Sequence, residues 1–161
     1  MYNRTKAVEY ALRWANSRNP AFTDFEDLGG DCTNFVSQCL YAGTGEMNFT
    51  PILGWYYINI DQRTASWSGV AYLYDFLVSN TGPGPCGTDA QITDMMPGDV
   101  IQLGDTNGHF YHSLIITRMT GYRPSRIFVT THSDDARQRR LSTYQFENIR
   151  FLHINDTCEQ T

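Results

Sequence analysis

Cys32 stands in the stretch Asp31-Cys32-Thr33-Asn34-Phe35-Val36-Ser37-Gln38, directly after Gly29-Gly30. Asp31 reads as a helix N-cap, which places the thiol in the first turn of a helix over 32–41. Unpaired N–H groups and the positive end of the helix dipole favour a thiolate there and can receive a developing oxyanion. The glycines let the approaching backbone turn tightly.

A thiol nucleophile needs a base within hydrogen-bond reach. Of the four histidines, His112 opens the most regular strand pattern, His112-Ser113-Leu114-Ile115-Ile116-Thr117. A strand start can aim an imidazole at a helix tip. His109 lies in a glycine-containing loop, and His153 falls inside a later strand. A third polar group should orient the base. His132 is the first choice and Asp134 the alternative, both in Thr130-Thr131-His132-Ser133-Asp134-Asp135. Asp31, Asn34 and Gln38 are candidate oxyanion or substrate contacts. Trp55, with Tyr56, Tyr57 and Trp67, is a candidate groove wall, although such aromatics more often fill cores.

The elements that must position these groups follow from periodicity. A helix is predicted over 5–17, ended by Asn19-Pro20. A second begins at Cys32, and a third spans 68–79. The tract Asn80-Thr81-Gly82-Pro83-Gly84-Pro85-Cys86-Gly87 separates this helical half from a β half. Strands are predicted over 99–103, 112–119, 126–131 and 149–154. Helices followed by an antiparallel meander make an α+β protein, read as a single domain over residues 1–161.

Net charge is −5. Eleven arginines and one lysine include a single short cluster, Arg137-Gln138-Arg139-Arg140, read as a solvated loop or edge. Nucleic acid is therefore not an expected partner. No apolar run reaches the roughly 18–20 residues that span a bilayer, and no signal peptide is legible in this chain. The four cysteines show no metal-ligand spacing, so neither metal nor cofactor is expected. Cys32 and Cys39 are about two helical turns apart, too far to bond. Cys86 and Cys158 could pair in an exported protein, but the expectation favours two free thiols.

The segment from Asp31 to Leu40 resembles the nucleophile helix of the bacterial "putative amidase domain" family, which is similar to NlpC-type cell-wall peptidases and CHAP amidases, all papain-like. Tyr2-Asn3-Arg4 with Ala7, Tyr10 and Ala11 resembles the family's opening helix. Pro97-Gly98-Asp99-Val100-Ile101-Gln102 resembles the strand before the catalytic histidine, and His112 to Thr117 the histidine strand itself. The resemblance covers nearly the whole chain in the order cysteine, then histidine. It implies a papain-like fold, a cysteine amidase or peptidase, an amide substrate in peptidoglycan or a related peptide, and an extracellular or cell-wall address within an exported protein. Two other expectations keep the same residues: acyl transfer of the transglutaminase kind, and a catalytically idle wall-binding module.

Overall fold

The computed structural model describes residues 1–158. Its elements run α1 (Arg4–Trp14), α2 (Cys32–Thr44), β1 (Tyr57–Asn59), β2 (Gln62–Arg63), α3 (Ala65–Ser68), α4 (Val70–Ser79), β3 (Gly87–Ala90), β4 (Val100–Gly104), β5 (Phe110–Met119), β6 (Ile127–Thr131), β7 (Ala136–Arg140) and β8 (Asn148–Ile154). Four helices and antiparallel sheets make it α+β, as read from the sequence.

Capping and spacing explain the helices. Asn3 caps α1, its side chain accepting the Lys6 N–H, while Ala7 and Ala11 form the buried stripe. In α2, residues 32–40 are all buried. That is the pattern of a helix enclosed on every side rather than one with a wet face. Gly45 ends it in the left-handed conformation, its N–H bonded to the Tyr41 carbonyl.

The main sheet has the order β3-β8-β4-β5-β6-β7, with every pairing antiparallel. β4, β5 and β6 run as the consecutive antiparallel strands expected from the sequence, and β7, which is the arginine cluster, extends them along the sheet edge. β8 returns to the other side of β4. Two apolar clusters sandwich the sheet. Val100, Ile115, Leu152 and Ile154 face the helices and pack with Phe35, Val36, Leu40, Trp55, Trp67 and Leu73. Ile101, Leu103, Leu114, Ile116, Ile127 and Val129 cover the other face with Met95 and Leu141.

Two expectations are corrected. Trp55 and Trp67 are fully buried with ring centroids 4.6 Å apart, and the Trp55 Nε1 donates to Ser37 Oγ at 3.0 Å, so Trp55 is core and not a groove wall. Cys86 and Cys158 form a disulfide rather than remaining free. It ties the segment that follows β8 to the glycine-proline tract before β3. No helix among the described residues is long and apolar enough to cross a membrane.

Candidate active site

Three pieces of chain meet at the start of α2: the glycine approach, the start of β5 and the β6–β7 turn. Gly30 has φ +108°, and a Cβ there would come within 3.2 Å of Ser133 Oγ, so the close approach requires glycine. Across from it, Ser133 and Asp134 hold φ of 59° and 69°. Left-handed conformations at consecutive non-glycine residues cost roughly 1 kcal/mol each, and strain of this kind collects at functional sites. Here the turn brings Ser133 Oγ to the Asp31 N–H at 2.7 Å and carries Asp134 towards His112.

Asp31 occupies the N-cap position, yet its side chain caps nothing. It turns back into the protein. Oδ1 accepts from the Phe25 N–H and from Asn34 Nδ2, both at 2.8 Å, and Oδ2 lies 2.5 Å from His132 Nδ1. Arg18 Nε adds its charge at 3.5 Å. Burial pushes this carboxyl up, but the bonds from His132, Asn34 and Phe25 outweigh it and hold Asp31 below its ordinary value. Asp31 is therefore an ionised anchor, not a cap or a proton donor to substrate.

His132 is committed to that anchor. Its Nε2 lies 2.7 Å from the Trp14 carbonyl, and its ring stacks on Phe35 at 3.9 Å between centroids. A carbonyl only accepts, so Nε2 carries a hydrogen. With both nitrogens engaged, His132 cannot orient His112, which corrects the first choice for the third group. Asp134 is the one whose charge reaches His112.

Cys32 is 7% exposed. Thr33 Oγ1 lies 3.7 Å from its sulfur, and the backbone of Ser113 and of Thr33 favours its ionised form. Burial raises the thiol above its ordinary value, and the Asp31 charge adds to this. Ser113 and Thr33 act in the opposite direction without overcoming it. The thiolate expected from the helix dipole is thus outweighed by desolvation in this closed arrangement, and the resting group is the neutral thiol.

The sulfur meets β5 one residue from His112. The register pairs Gln102 with Ser113 and Leu103 with His112. Ser113 accordingly faces α2, while His112 shares the far face with Leu103, and its ring centroid lies 6.0 Å from that of Tyr144. Among the described residues no hydrogen bond joins Cys32 to His112; thiol and imidazole flank the same strand start from two sides. Burial pushes His112 down to about 4, against the opposing charge of Asp134 and with the help of Arg139. The imidazole is neutral near pH 7 and can accept a proton.

The other sequence candidates serve the framework. Asn34 spends its amide on the Thr23 carbonyl and Asp31, and its Oδ1 accepts from Trp67 Nε1 at 2.9 Å. Gln38 accepts from the Tyr10 hydroxyl. It sits about 9 Å along the helix axis from Cys32, at 1.5 Å per residue, so neither is an oxyanion donor. His109 is exposed, and His153 lies 3.0 Å from the buried Asp99.

The sequence reading missed Thr33 and Ser113, whose hydroxyls lie 2.9 Å apart beside the sulfur. It also missed Tyr144, whose buried hydroxyl has no partner among the described residues. Only adjacency to Cys32 and His112 could have flagged the first two.

Helices on one face of an antiparallel sheet, with Cys32, Asp31 and His132 gathered at one helix tip and His112 across the start of β5, define an α+β protein with a titratable cluster at the start of its central helix. The chain belongs to the family whose model is described as "Putative amidase domain", which matches residues 1–154. That membership points to amide hydrolysis. The chain is similar to the uncharacterized protein YhbB of Bacillus subtilis (strain 168), with 34% identity across 96% of this chain and 51% of the relative. It thus spans about half the length of that curated relative. No solved structure matches the chain.

Proposed function

We propose that this chain, as one papain-like domain, hydrolyses an amide bond through a thioester on Cys32, with His112 as general base and Asp134 as the group that holds His112. The carrying observation is the contact of the Cys32 sulfur, in the first turn of α2, with the backbone of the residue that follows His112. The neutral imidazole and the neutral thiol set the order of events. For the transfer, the start of β5 must re-seat so that the His112 ring comes round the strand end to the sulfur, a larger change than the tightening of an existing hydrogen bond on substrate binding. His112 then removes the thiol proton as sulfur attacks the carbonyl carbon, so the S–C bond forms and the oxygen takes the negative charge. The Cys32 N–H receives that charge, since the Asp31 side chain has left the first-turn N–H groups uncapped. The C–N bond breaks as the imidazolium protonates the departing amine. Water, deprotonated by His112, then cleaves the thioester and restores the thiol.

The substrate class we propose is an amide of bacterial peptidoglycan or a related peptide, and the site of action is outside the cytoplasm. The family resemblance supports the first, and the Cys86–Cys158 bond supports the second, because disulfides persist in oxidising compartments. Digestion of purified peptidoglycan, with fragments identified by mass spectrometry, tests the reading. Cleavage by the native chain and none by Cys32→Ala is the expected result. Cleavage by both would remove Cys32 from the mechanism, and a new amide in the presence of an added amine would make the chain a transferase.

A further inference from the structure

A continuous chain of polar side chains leads from the Cys32 sulfur across the sheet to β8. Thr33 Oγ1 lies 3.7 Å from the sulfur and 2.9 Å from Ser113 Oγ. Gln102 Nε2 donates to Ser113 Oγ at 3.1 Å and to the Val70 carbonyl at 2.9 Å. Gln102 Oε1 accepts two bonds from Arg150, from Nε at 2.9 Å and Nη2 at 2.6 Å. The Arg150 guanidinium is itself clamped between the rings of Tyr74 and Phe110, at 3.7 and 3.9 Å. Gln102, Ser113 and Thr33 are all buried.

The chemistry of the ends fixes the direction of the middle. Arginine only donates and a carbonyl only accepts, so Gln102 must present oxygen to Arg150 and its amide hydrogens to Val70 and Ser113. Ser113 Oγ therefore accepts from Gln102, and the acceptor left to its own hydrogen is Thr33 Oγ1. The Thr33 hydrogen is then free to point at sulfur. We propose that Arg150, Gln102, Ser113 and Thr33 form a hydrogen-bond relay of one fixed direction whose last hydrogen is aimed at the Cys32 sulfur. Gln102 and Ser113 are in that case positioning residues for the nucleophile. The inference deepens the role given to Cys32 above and rests on it.

Such a relay favours negative charge on sulfur, and it offsets part of the burial that opposes ionisation. The titratable and charged groups around the sulfur are Asp31 before it, His112 on β5 and, at the far end of the relay, Arg150 on β8. Two substitutions separate the relay from these charges. Thr33→Val deletes the last hydrogen. Gln102→Glu keeps the shape and the Arg150 partner but presents an acceptor to Ser113. Ser113 then donates to position 102, Thr33 donates to Ser113, and the sulfur faces a lone pair.

The experiment is alkylation of the folded chain by iodoacetamide between pH 7 and 10.5, with labelling of Cys32 quantified by peptide mass spectrometry and folding checked by circular dichroism. Each single variant should label about tenfold more slowly at a given pH below the thiol midpoint, the size of one hydrogen bond to a charged group. The double variant should be no slower than either single one, because both act through the same hydrogen. An unchanged rate in Gln102→Glu overturns the relay. So does an additive loss of about a hundredfold in the double variant, since a charge acting through space adds to the loss of a hydroxyl. If Gln102→Glu does not fold, Thr33→Ser replaces it: recovery of the native rate supports the relay, and equal rates in Thr33→Val, Thr33→Ser and the native chain overturn it. The readout is thiol reactivity and not turnover. Hydrolysis that survives in Cys32→Ala would remove the nucleophile assignment, while these rates would still decide the relay.

Discussion

Replacement of His132 by Phe separates an anchor from a catalytic partner. The ring of Phe keeps the stack on Phe35 but leaves Asp31 Oδ2 and the Trp14 carbonyl without their donor. Asp31 and His132 are 0% and 1% exposed, so water cannot substitute freely. Leaving a buried carboxylate without its partner typically costs about 3–5 kcal/mol, against a total stability of roughly 5–15 kcal/mol. A loss of about 4 kcal/mol corresponds to about 8–16 °C in Tm for a chain of this size.

The pH dependence carries the sharper test. In the native chain Asp31 is held below its ordinary value of 3.8, so its contribution is present above that pH and is lost as pH falls through the folded value. Without His132 the buried carboxylate prefers its proton, and acidification then relieves the variant. The stability gap measured by urea titration should therefore be widest near pH 7 and narrow towards pH 3. His132→Phe/Asp31→Asn should recover part of the loss, since no charge is stranded. A gap below 1 kcal/mol, or one that does not change with pH, would refute the anchor; lost turnover at native stability would return His132 to the role of orienting His112.

Three further outcomes follow from the same geometry. With His112 at about 4, kcat/KM should rise through an acid limb near pH 4 and then hold a plateau across neutrality, whereas a preformed thiolate–imidazolium pair would place a limb in the alkaline range where His112 loses its proton. Asp134→Asn removes the charge that raises the His112 value, so that limb should move to lower pH while kcat/KM falls; an unmoved limb would separate Asp134 from His112. Cys86→Ser with Cys158→Ser opens a loop with a sequence separation of 72, which the chain-entropy model values at about 4 kcal/mol, and urea denaturation of the paired variant should show a loss of that order.

The helices and the central strands were legible because one period dominates each. Ala7 and Ala11 mark α1, and the apolar run from Leu114 to Ile116, buried on both faces of the sheet, marks β5. β3 and β7 were not legible. Gly87-Thr88-Asp89-Ala90 and Ala136-Arg137-Gln138-Arg139-Arg140 carry little apolar pattern, because edge strands take their stability from backbone pairing on one side. At the candidate site, type and spacing pointed to Cys32 and His112, which the fold places on two sides of the start of β5. The role of His132 was not readable, since Trp14 and Asp31, its partners, lie 118 and 101 residues away. The thiol shift ran against expectation for a similar reason: the helix tip is local to the sequence, but burial by β5 and the β6–β7 turn is not.

The most direct test of the account is capture of the acyl-enzyme. Native chain mixed with soluble peptidoglycan fragments should be quenched in acid within the first turnovers and mapped by mass spectrometry. An acyl group, labile to hydroxylamine, is expected on the peptide that contains Cys32, and none in Cys32→Ala. Turnover with no adduct there, or an adduct on another residue, would contradict it.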